Sequence, residues 1–84
     1  MYSVKYTSQA IKSIKKAPAS TAKRLTAAIR ELAAAPYAMP GVKKLKGVEG
    51  YRLRVGDWRI VYSIHNDILT IWILDAGHRK EIYR

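Results

Sequence analysis

One twelve-residue stretch constrains this chain more than any other feature: Tyr51-Arg52-Leu53-Arg54-Val55-Gly56-Asp57-Trp58-Arg59-Ile60-Val61-Tyr62. Apolar and polar residues alternate on both sides of Gly56-Asp57, a dipeptide suited to a tight turn, so the segment reads as a β-hairpin. Its pairing can be written out. A two-residue turn sets Val55 against Trp58, Arg54 against Arg59, Leu53 against Ile60, Arg52 against Val61 and Tyr51 against Tyr62. A four-residue loop would keep that register, whereas a three-residue loop would shift it and exchange the faces of one strand. A third β-rich run covers residues 68–75, behind Asn66-Asp67 as a second tight turn. This turn is expected to pair Ile64 with Leu69, Tyr62 with Ile71 and Ile60 with Ile73. The core face of the meander is then Tyr51, Leu53, Val55, Trp58, Ile60, Tyr62, Ile64, Leu69, Ile71 and Ile73.

The opposite face is the unusual one. It carries Arg52, Arg54, Arg59, Val61, Ser63, Thr70, Trp72 and Leu74. Arg54 and Arg59 face each other, an arrangement that costs a strand pair a few tenths to about 1 kcal/mol. No acid separates them in this register, because Asp57 is in the turn and Asp75 points to the other side. A solvated sheet face ordinarily mixes Lys, Glu, Thr and Ser with opposite charges paired. Three arginines without a carboxylate point instead to a bound anion, since guanidinium groups grip phosphate bidentately and stay charged at any working pH. Trp72 shares the face and is suited to stacking on a base, although a tryptophan on a sheet is often simply packing.

Upstream, Tyr2, Val4 and Tyr6 alternate with Ser3, Lys5 and Thr7, the period of a half-buried strand. Ser8 is expected to cap a short helix that buries Ile11 and Ile14. Pro18 ends that helix or starts the next, in which Ala22, Leu25, Ala28, Ile29 and Leu32 recur at helical spacing as far as about Ala34. Pro36 forbids continuation. Residues 36–50 read as a loop that turns at Pro40-Gly41, with Lys43, Lys44 and Lys46 near its end. The expected fold is one α+β domain over residues 1–84: an N-terminal strand, a two-helix hairpin and a three-stranded antiparallel meander, with the helices on one face of the sheet. A short tail begins at Gly77.

Composition narrows the function. Sixteen Lys and Arg against six Asp and Glu give a net charge of +10, which draws a polyanion such as nucleic acid or an acidic protein. There is no cysteine, so disulfides and thiolate metal sites are excluded. His65 and His78 are too few for a zinc site unless acids help. No apolar run approaches the roughly 18 residues of a membrane span, and the first residues lack a signal-peptide apolar stretch. The expected location is the cytoplasm, with no membrane association.

The hairpin at residues 51–62 resembles the "YRLRVGDYRIIY" hairpin of RelE-type toxins, and Gly77-His78-Arg79-Lys80-Glu81-Ile82-Tyr83 resembles their terminal "GHRREVY". Leu45-Lys46-Gly47 resembles the "LKG" that precedes the hairpin in that family. The resemblance implies a RelE-like, microbial-RNase-like fold and the toxin of a type II toxin–antitoxin system. It implies a ribosome-dependent, metal-free endoribonuclease without a cofactor, which cuts mRNA in the A site by attack of a ribose 2′-hydroxyl on the adjacent phosphate. Carried over position by position, the catalytic residues fall on Arg52, Arg54, Arg59, Arg79 and Tyr83. His78 is a further candidate because histidine is the side chain type suited to proton transfer near neutrality, while a histidine after a turn glycine is more often structural, as His65 is expected to be. Lys43, Lys44, Lys46 and Trp72 are expected to contact RNA. The resemblance also implies a RelB-like or other acidic antitoxin, with operator DNA engaged only through it.

Two other readings stay open. ParE-like toxins share the fold and inhibit DNA gyrase by protein contact, without need of an arginine pocket. A non-catalytic nucleic-acid-binding module would use the same charges for affinity alone.

Overall fold

The computed structural model describes residues 1–47 and 49–78. Strand β1 (Ser3–Tyr6) leads into helix α1 (Ser8–Lys16) and helix α2 (Ala19–Ala34), followed by β2 (Val42–Lys44), β3 (Tyr51–Val55), β4 (Trp58–His65) and β5 (Thr70–His78). The strands form one five-stranded sheet in the order β1-β5-β4-β3-β2. The α+β class and the helix placement agree with the sequence, but the sheet is mixed, because β1 pairs with β5 in parallel (Val4 with Ile71, Tyr6 with Ile73).

The cap of α1 lies one residue before the expected Ser8. Thr7 Oγ1 accepts from the Ala10 amide at 3.1 Å and donates to the Leu74 carbonyl at 2.7 Å. One hydroxyl thus closes the helix end and ties it to β5, and Lys15 and Lys16 in the last turn suit the helix dipole. Ile11, expected inside, is 42% exposed, and Ala10 is the residue fully buried. A methyl side chain there lets α1 lie close on β5. Helix α2 behaves as its periodicity predicts. Leu25, Ala28, Ile29 and Leu32 pack with Leu53, Ile60, Tyr62, Ile71, Ile73 and Ala76, each large aliphatic side chain contributing about 1.5–3 kcal/mol on burial.

The β3–β4 hairpin has the five pairs expected of it, from Val55 with Trp58 to Tyr51 with Tyr62. Gly56 sits at φ +60°, the left-handed first position of a two-residue turn whose twist matches the strands.

The β4–β5 hairpin departs from expectation. Its loop spans residues 66–69, and the pairs are Ile64 with Ile71 and Tyr62 with Ile73. A shift of two residues leaves every side chain on its predicted face. Leu69 alone changes role: it sits in the loop, 55% exposed and at φ +46°. Further along, the pairing slips once more, between Val61 and Tyr62. Beyond this bulge Val61 faces Asp75, Ile60 faces Ala76, Arg59 faces Gly77 and Trp58 faces His78. Strand β5 therefore continues through Gly77 and His78, where the sequence suggested a tail. The insertion brings small, buried Ala76 under Ile60.

Three tyrosines hold the far end of the sheet. Tyr62 is fully buried, stacks on Tyr51 at 5.7 Å and donates to the Pro36 carbonyl at 2.8 Å. Tyr37 meets Tyr51 edge-on at 5.7 Å. Burial, with smaller contributions from Tyr51 and Tyr37, pushes the Tyr62 hydroxyl far above its ordinary pKa, so it remains a donor. Among the described residues no helix is long and apolar enough to cross a membrane.

Candidate anion-binding site

The strand that sequence reasoning missed builds the site. Strand β2 pairs antiparallel with β3, setting Lys43 against Arg52 and Val42 against Leu53. Lys43 therefore joins the face that carries Arg52, Arg54 and Arg59, away from the helices. These four cations and Gly41 line a cavity of about 190 Å³. Gly41 forms its wall by close approach: its carbonyl accepts from the Arg54 amide at 3.2 Å, at φ +90°. A Cβ on Gly41 would just touch the Arg54 carbonyl at 3.4 Å, so its positive φ is what favours glycine here. A three-residue strand inside a stretch rich in Pro, Gly and Lys gives little periodicity to detect. Its only trace is the placing of Val42 and Leu45 around two lysines.

Arg54 and Arg59 are held toward each other by the hairpin tip. Arg54 Nε donates to the Gly56 carbonyl at 3.3 Å and Arg59 Nη1 to the same oxygen at 3.5 Å, with a further bond from Nη1 to the Trp58 carbonyl at 3.1 Å. Arg59 is 8% exposed, a charged group almost wholly inside the surface. Its cross-strand neighbours are Arg54 on one side and Gly77 on the other. Gly77 has no side chain and leaves that flank of the guanidinium to other groups. A buried cation is costly unless it is paired or hydrogen-bonded, and backbone carbonyls meet part of that cost here.

The acid nearest the site in register is engaged elsewhere. Asp75 faces Val61 at the bulge, yet its Oδ1 accepts from Ser13 Oγ of α1 at 3.0 Å and from the Ala76 amide at 2.8 Å. The expectation that Asp75 turns away from the arginines therefore holds. Among the described residues no group of three His, Asp or Glu is placed to hold a metal ion.

The remaining candidates are distributed as follows. Lys44 lies across from Tyr51 and, by strand alternation, on the other face from Lys43. Lys43, Lys44 and Lys46 nevertheless line one depression at the sheet edge with Leu45 and Arg52. Trp72 is on the arginine face but pairs with Ser63 and Lys5. That is four residues along the sheet from Arg59, about 13 Å at strand rise, so Trp72 stands apart from the cavity. His65 bonds Ser63 Oγ at 3.0 Å. His78 pairs with Trp58 and meets its ring edge-on at 6.5 Å, so it lies on the helix side, one residue past Gly77 and opposite in face to Arg59. Arg79 and Tyr83 lie outside the described residues.

A family model, the ParE toxin of the parDE type II toxin–antitoxin system, matches residues 4–83. The chain is a toxin of the RelE/ParE superfamily. Among solved structures, this toxin is similar to a chain of the archaeal RelE–RelB complex from Pyrococcus horikoshii OT3, with 30% identity, a TM-score of 0.82 and coverage of 93% of this chain and 94% of that one. The RelB–RelE antitoxin–toxin complex from Methanococcus jannaschii matches at 30% identity and a TM-score of 0.77, over 94% of each chain. The isolated E. coli RelE toxin shares 18% identity at a TM-score of 0.80, over 93% of this chain and 84% of that one, which shows a common fold. No curated protein matches the sequence.

Proposed function

We propose that this toxin is an endoribonuclease that cleaves mRNA in the ribosomal A site without a metal and so arrests translation. The observation that carries the reading is the direct opposition of Arg54 and Arg59, with Arg52 and Lys43 around the same small cavity. Guanidinium groups opposed in this way suit a crowded phosphate, whose oxygens both can contact. In the reaction the ribose 2′-oxygen attacks the adjacent phosphorus, a P–O bond forms, and the bond to the 5′-oxygen breaks. The products are a 2′,3′-cyclic phosphate and a free 5′-hydroxyl. One proton leaves the 2′-oxygen and one is delivered to the 5′-oxygen. Arg52, Arg54 and Arg59 supply positive charge to the phosphorane-like transition state, joined by Arg79. Arginine hardly deprotonates, so proton transfer falls to another group, and Tyr83 is the candidate. We assign no part in it to His78, which faces Trp58 on the helix side.

Lys43, Lys44 and Lys46 extend the basic surface along the sheet edge, where they hold RNA flanking the cut. The partner in the resting state is an acidic antitoxin of the RelB kind, and operator DNA is engaged through that antitoxin alone. Two features support this partner: solved relatives are toxin–antitoxin complexes, and the chain carries a net charge of +10. The site of action is the cytoplasm.

The family-model match favours a second reading, inhibition of DNA gyrase. One pair of assays separates the two. Purified toxin is added to a translating extract and mRNA ends are mapped; in parallel it is added to a supercoiling reaction. New 5′-hydroxyl ends, with supercoiling intact, support the nuclease. Loss of supercoiling with intact mRNA supports gyrase inhibition.

A further inference from the structure

Arg24 belongs to the second turn of α2, on the helix side of the sheet, and strand register gives no reason to connect it with the arginine face. The structure does. A Cβ built on Gly56 would lie 3.1 Å from Arg24 Nη2, 3.3 Å from Nη1 and 3.6 Å from Cζ. The whole guanidinium therefore rests on this one residue. The carbonyl of the same residue accepts from Arg54 Nε and Arg59 Nη1. Three guanidinium groups, from α2, β3 and β4, close on the tip of one hairpin. Glycine is favoured here by its left-handed φ of +60°, and a Cβ would also ask the Arg24 guanidinium to give by a few tenths of an ångström.

Guanidinium groups gathered at an exposed turn are favourable to a polyanion that bends round the tip. We infer that Arg24 is a phosphate-binding residue: the anion surface continues round the hairpin tip onto the helix side, where Arg24 takes the phosphate next to the one held between Arg54 and Arg59. The ligand class is single-stranded RNA engaged over at least two successive phosphates. The inference rests on the RNA reading above. The competing role for Arg24 is a brace for the turn formed by Gly56 and Asp57.

The test compares two probes on the purified full chain: a single-stranded RNA of about ten nucleotides, and a dinucleotide with one internal phosphate. Binding is measured across a salt series for wild type, Arg24→Gln, Arg24→Lys and Arg30→Gln. Arg30 is an exposed control on the same helix, which removes one charge away from the hairpin tip. A lost phosphate contact on a single strand lowers the slope of log affinity against log salt by about 0.7. That change is expected for Arg24→Gln on the longer RNA, with several-fold weaker binding at low salt. Arg24→Lys should keep the slope, Arg30→Gln should leave it unchanged, and the dinucleotide should bind Arg24→Gln as it binds wild type. The inference is overturned if Arg24→Gln behaves like Arg30→Gln on the long RNA. It is also overturned if Arg24→Gln weakens both probes equally, as a brace would. A wild type without salt-dependent RNA binding would remove the RNA reading itself, a failure visible before any variant is compared.

Discussion

Replacing Arg54 by Gln should stabilise the fold while it weakens the function. Arg54 Nε lies 3.3 Å and Arg59 Nη1 3.5 Å from the same Gly56 oxygen, so the two nitrogens are less than about 7 Å apart, where like charges repel by about 0.6 kcal/mol at the dielectric of water and about 2 at a dielectric of 20. Arg54 is exposed while Arg59 is nearly covered, so the value falls toward the lower figure, within the range of about 1 kcal/mol for opposed strand charges. The lost bond from Arg54 Nε is exposed and offsets a few tenths of this. A net gain of about 0.5 kcal/mol raises Tm by roughly 2–4 °C in a domain of this size. The assay is thermal unfolding of wild type and Arg54→Gln at about 20 mM and about 500 mM salt, on either side of the roughly 0.1 M at which the Debye length is about 10 Å. The gain should appear at low salt and shrink at high salt, while RNA cleavage falls. A variant less stable than wild type at low salt, or a gain indifferent to salt, would refute the reasoning, since neither follows from repulsion between guanidiniums.

Two further outcomes follow from the packing. Tyr62→Phe leaves the buried Pro36 carbonyl without its donor and should cost about 1–3 kcal/mol in chemical denaturation. Because the folded-state pKa of Tyr62 is raised above its ordinary value of 10.0, its contribution is complete below that pH and is lost as the pH climbs beyond it; the wild-type advantage over Tyr62→Phe should therefore be flat from neutral pH and narrow only in strong alkali. Leu69→Gly should raise Tm, because Leu69 holds φ +46° in an exposed loop, a conformation that costs a side-chain-bearing residue about 1–2 kcal/mol; an unchanged or lower Tm would argue against strain at that loop.

The sequence made some parts of this molecule readable and others not, for physical reasons. The β3–β4 hairpin was legible to the residue because a two-residue turn leaves one register open, and one face has to be apolar. That register alone put Arg52, Arg54 and Arg59 together. The β4–β5 hairpin was legible only in its faces. Its loop length and its bulge depend on how Ala76 fits under Ile60, which is a matter of packing between strands. The parallel pairing of β1 with β5 joins the two ends of the chain, and local periodicity carries no information about it. Strand β2 is three residues long and takes its strand character from β3. Arg24 was invisible for a related reason: its role depends on where α2 lies over the hairpin tip, and a surface arginine at helical spacing resembles any other.

In the proposed reaction Arg54 and Arg59 stabilise the scissile phosphate. The most direct test is expression of wild type and Arg59→Ala in a cell, with growth and mRNA 5′ ends scored side by side. Wild type should cause arrest and new mRNA ends, and Arg59→Ala should lose cleavage by about 10² or more while it is still produced as a folded protein. Growth arrest by wild type without new mRNA ends, or an Arg59→Ala toxin that cuts as well as wild type, would contradict it.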